Sequence, residues 1–146
     1  MINAIIKAIA KALDEQFNAE ADAYEIYDEE IKQDLQEPAF FIQSLNPSTD
    51  LFLGKRYLHR SHILIQYFPK SETDYQAECN DMGEQLIWIV EWITCEGDDR
   101  PIRGSKMHYE VVDEVLNFFV NYDMFVYKVE STDAMETMDL KSNVEG

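Results

Sequence analysis

Between Ser71 and Gly97 the residues Tyr75, Cys79, Met82, Leu86, Ile89 and Ile93 recur in strict four-three alternation. At that spacing side chains stack on one face of an α-helix, whereas in a strand neighbouring residues point to opposite faces and the set would be split. Ser71 is placed to cap the helix and Asp74, three residues on, to complete a capping box. The pattern therefore predicts a helix from about Ser71 to Cys95, ended at Gly97. Trp88, Trp92, Ile87 and Val90 widen its apolar face well beyond a stripe, so the helix is expected to be buried on more than one side, one of them available to a partner subunit.

The opening of the chain is also helical in period. Ile2, Ile5, Ile6, Ile9, Leu13 and Phe17 share a face, with Lys7, Lys11, Asp14 and Glu15 opposite, which predicts an amphipathic helix that docks on a core. Elsewhere the period falls to two. Tyr24 and Ile26 alternate, Pro38 opens the apolar segment Ala39 to Leu45, and Asn46 to Asp50 is a turn cluster. Lys55 to Pro69, with Ile63, Ile65 and Tyr67 on one face, reads as a strand, and the whole stretch as two or three antiparallel strands. After the turn-rich Gly97 to Ser105, Met107 to Val111 and Leu116 to Tyr122 form a hairpin broken at Asp113 and Glu114. A strand from Met124 to Val129, a turn at Ser131 to Asp133, a weaker strand from about Met135 and a polar tail from about Lys141 complete the chain. Together these elements predict a single α+β domain over 1–146: a mixed or antiparallel sheet, the helix at about 71–95 packed across one face, and the N-terminal helix beside it.

Charge narrows the function. Twelve Lys and Arg stand against 29 Asp and Glu, a formal charge of −17, which repels phosphate backbones and anionic lipid. Tight DNA binding and a membrane-surface role for the first helix are both disfavoured, and no run of about 18 apolar residues predicts a membrane span. The first thirteen residues lack the layout of a signal peptide, so a soluble, unsecreted protein is expected. Cys79 and Cys95, both assigned to the 71–95 helix, are too far apart along it to bond and read as buried free thiols.

No catalytic, cofactor or metal constellation emerges. His59, His62 and His108 lack metal-ligand spacing, and His59 and His62, three apart in a strand, point to opposite faces. Phosphate-binding glycine loops and nucleophile elbows are missing, and no segment has the Ca²⁺-loop pattern. Acidic neighbours such as Asp28 to Glu30, Asp98 with Asp99, and Asp113 with Glu114 are what chance gives in so acidic a chain. One basic cluster, Lys55, Arg56 and Arg60, is interleaved with Tyr57 and His59 and is best read as pairing with acidic groups of this chain or a neighbour.

Four stretches together resemble the phage tail terminator family of contractile-tailed phages and phage-like elements of Gram-positive bacteria: MINAIIKAIAKAL, IYDEEIKQDLQEPAFFIQSL, LGKRYLHRSHILIQYFP and GSKMHYEVVDEVLNFFVNYDMFVYKV. The resemblance runs from about Met1 to Val129 and implies a non-enzymatic subunit of a homo-oligomeric, six-fold ring. Such a ring would sit on the head-proximal end of the tail tube, stop its polymerisation and offer a surface to the head-side connector, working in the virion after assembly in the host cytoplasm. DNA would pass through without tight binding, which suits an acidic wall. Lys55, Arg56, Arg60, Trp88 and Trp92 are then the candidate subunit or tube interface, with the aromatic strand Phe118 to Tyr122 adding apolar area. Two other classes compete: a monomeric acidic adaptor or inhibitor that mimics DNA charge, and an enzyme of unrecognised type. Carboxylates spaced along a convex face would mark the first, and a pocket of convergent polar groups with shifted pKa values the second.

Overall fold

A computed structural model describes residues 2–21, 23–28 and 35–128, and the backbone of 138–139. Its elements in chain order are α1 (Ile2–Phe17), β1 (Glu25–Tyr27), β2 (Ala39–Leu53), β3 (Arg56–Phe68), α2 (Tyr75–Val90), β4 (Trp92–Ile93), β5 (Ile102–Val112), β6 (Val115–Lys128) and β7 (Met138–Asp139). The sheet is mixed and curled, in the order β1-β2-β3-β6-β5-β4, with β7 on the far end of β6. All neighbours pair antiparallel except β1 and β2, which run parallel with Ile26 opposite Phe40.

The period-two residues supply the sheet's buried face. Phe40 and Ile42 lie opposite Tyr67 and Ile65, and these opposite Leu116 and Phe118. With Ile63, Val120 and Tyr122 they meet Ile5, Ile9 and Leu13 from α1 and Cys79, Met82, Leu86 and Val90 from α2 in one core. Each such aliphatic or aromatic side chain contributes roughly 1.5–3 kcal/mol of burial. An aromatic cluster closes one end of the core. Phe17 stacks against Phe40 at 5.4 Å, and Phe40 against Tyr67 at 5.0 Å. Gly83 lets α2 approach β5 closely, since a Cβ there would stand 2.7 Å from the Tyr109 ring.

Two tyrosines pin α2 at its ends. The Tyr67 hydroxyl donates to Glu78 in the first turn at 2.5 Å, and the buried Tyr122 hydroxyl donates to the Val90 carbonyl at 2.6 Å. That carbonyl is one of the helix-terminal acceptors that the helix itself leaves unfilled. Glu78 also accepts the backbone N–H groups of Lys70 at 2.8 Å and Ser71 at 3.1 Å. Burial opposes its ionisation, but these three donors outweigh burial and hold the carboxyl below its ordinary value. Tyr67 shifts the other way: burial, then the bond to Glu78, raises its hydroxyl far above the usual range.

Several sequence expectations are corrected. The second helix spans Tyr75–Val90 and not 71–95. At its start the Ser71 hydroxyl does accept the Asp74 N–H at 2.9 Å, but Ser71 lies ahead of the helix and Asp74 is the cap residue, without a side-chain cap bond. At its end Trp92 and Ile93 leave the helix to pair with Arg103 and Ile102 as β4, and Gly104 N–H bonds the Glu91 carbonyl at 2.6 Å. Ile93 is buried from a strand, so its place in the helical stripe was coincidence. Cys95 accordingly lies beyond β4; both thiols are free and buried. Asn46 to Asp50 is no turn. Leu45 pairs with His62 and Ser48 with Arg60, so β2 carries one extra residue there as a bulge, with Asn46 at φ 34°. The chain reverses instead at Gly54, whose φ of 59° favours glycine. Tyr24 to Leu45 does not form an antiparallel pair, because β1 joins β2 in parallel. Met124 onward is no separate strand but continues β6 to Lys128. Phe118, Val120 and Tyr122 are wholly buried and offer no exposed area, while Phe119 on the other face is partly exposed and stacks on His108 at 4.7 Å. The Asp113 and Glu114 break is a two-residue hairpin turn with φ 51° and 66°. The proposed turn at Ser131 to Asp133 and the tail from Lys141 lie outside the described residues.

Leu86 is fully buried, whereas Ile89, also placed at the centre of the stripe, is only half-buried. Leu86→Ala should therefore cost about 2–5 kcal/mol in denaturant unfolding and Ile89→Ala clearly less; equal losses would contradict this packing. Because the folded state depresses the Glu78 pKa, its contribution is present above the ordinary carboxylate value of 4.5 and lost as pH falls through the lower folded value. Glu78→Gln should lower Tm at pH 7 and narrow its gap to wild type in acid. A pH-independent difference would show that the carboxylate charge is not responsible.

Candidate functional site

The five candidate interface residues fall into two separate regions. Lys55 and Arg56 lie at the β2–β3 turn and Arg60 four residues further along β3, opposite Ser48. Arg56 lays its guanidinium over the Phe125 ring at 3.9 Å and reaches Phe52 at 5.6 Å, while Phe52 meets Phe125 edge-on at 5.0 Å. Such cation–π contacts are worth about 0.5–2 kcal/mol, so Arg56 braces the tip instead of standing free. Arg60 pairs with exposed Asp50 at 3.4 Å, a surface contact of small value. Lys55 accepts the Lys128 N–H on its carbonyl at 3.0 Å, which ties the turn to the end of β6.

Beside these cations lies a group that the sequence reading passed over. Leu51, Phe52 and Leu53 are 62%, 56% and 71% exposed. The available signal was three consecutive apolar residues directly before Gly54, a run that neither a half-buried strand nor a polar turn calls for. It was masked by the supposed turn at Asn46 to Asp50, which placed the reversal too early.

The second region surrounds α2. Trp88 is 76% exposed and walls a groove of about 460 Å³ between α1 and α2, lined also by Ala12, Glu15, Gln16, Gln85 and Ile89. Trp92, 54% exposed, is not on the same helical face but on β4, with Arg103 at 5.8 Å from its ring and Arg103 bound to Glu91 at 3.4 Å. Lys55 and Arg56 thus stand beside an exposed apolar tip, Arg60 is engaged separately along β3, and both tryptophans lie elsewhere.

The histidines serve the fold. His59 bonds Thr49 at 2.8 Å and burial lowers its pKa, while His62 bonds Asn121 at 2.8 Å on the other sheet face, as their three-residue spacing requires. On the same face as His62, Gln43 donates to Gln66 at 3.2 Å and Gln66 to Asn117 at 3.0 Å. Among the described residues no three His, Cys, Asp or Glu side chains are placed to hold a metal. A cavity of about 810 Å³ beside α1 is lined by Lys7, Lys11, Glu96 and Asp98 around Cys95, whose thiol is pushed up by burial and so stays protonated, the reverse of what a nucleophile needs.

The described residues thus form an α+β fold with two dissimilar exposed apolar patches, at Leu51 to Leu53 and around Trp88. The chain belongs to the phage tail terminator protein family, whose family model matches residues 4–134, and it is therefore a phage tail assembly protein. No curated protein matches it. One solved structure, known only by a sequence label, covers 88% of this chain and 96% of its own length at 13% identity and a TM-score of 0.44, a likeness too distant to carry any inference.

Proposed function

We propose that this chain ends tail growth as a closed ring of identical subunits, six to match the tail, seated on the head-proximal end of the tube. The ring stops the addition of tube protein and presents its outer surface to the head-side connector. The observation that carries this reading is the family match over nearly the whole described chain. Two features support it. A ring needs a heterologous contact between unlike patches, and the hairpin tip and the Trp88 region are unlike. Exposed aromatic and aliphatic groups of that size are also out of keeping with a monomeric adaptor.

The net charge of −17 fits a passage for DNA that must not stick, since a wall rich in carboxylates repels phosphate. No chemistry is asked of the subunit. Shape and complementary charge at two faces let it bind the last tube layer and refuse another. The subunits would accumulate in the host cytoplasm before joining the virion.

Removing the chain from an otherwise intact phage should give over-long tails of uneven length that fail to join heads, and supplying it in trans should restore both. Tails of normal, uniform length in its absence, measured by electron microscopy, would overturn the reading.

A further inference from the structure

We draw no further inference here: the strongest candidate, the exposed apolar patch Leu51 to Leu53 where β2 turns into β3, carries none because nothing in the structure shows what covers it.

Discussion

The placement of everything functional in this protein depends on how α2 is fixed to the sheet. Tyr67 on β3 and Tyr122 on β6 reach its first and last turns with short hydrogen bonds to Glu78 and Val90. These are polar bonds made in apolar surroundings, where leaving either partner unpaired would cost more than the bond itself contributes in water. They set the height and direction of the helix, and Gly83 lets it settle onto Tyr109. Once Leu86, Met82 and Cys79 point into the core, Trp88 must point out, beside α1. The exposed tryptophan is thus a consequence of the buried leucine two positions earlier.

The same logic explains what the sequence could and could not reveal. α1 was legible because one stripe, Ile5, Ile9 and Leu13, meets one core, and local period and tertiary need agree. The hairpin around Asp113 and Glu114 was legible for the same reason. The ends of α2 were not, since Trp92 and Ile93 pair with β5, and a strand partner ten residues ahead leaves no mark on helical spacing. The bulge at Asn46 imitated a turn, because asparagine, proline and serine favour both. That one error hid the tip. Among the candidate interface residues, nothing in the pattern told a stacked, bracing Arg56 from a free one.

At a net charge of −17, copies of this chain repel one another and repel nucleic acid, so the assembly proposed above has to overcome that repulsion wherever copies meet. The repulsion is screened over a Debye length of about 8–10 Å at ordinary salt, so under that proposal association should respond to ionic strength, whereas burial of apolar surface should not.

Under the proposed function a single closed layer of this chain sits at one end of the tube. Imaging purified tails by cryo-electron microscopy, with the chain labelled, tests this most directly. Density is expected for one six-membered layer at the head-proximal end and none along the shaft. Label distributed along the tube, or tube ends without it, would rule out a terminating layer.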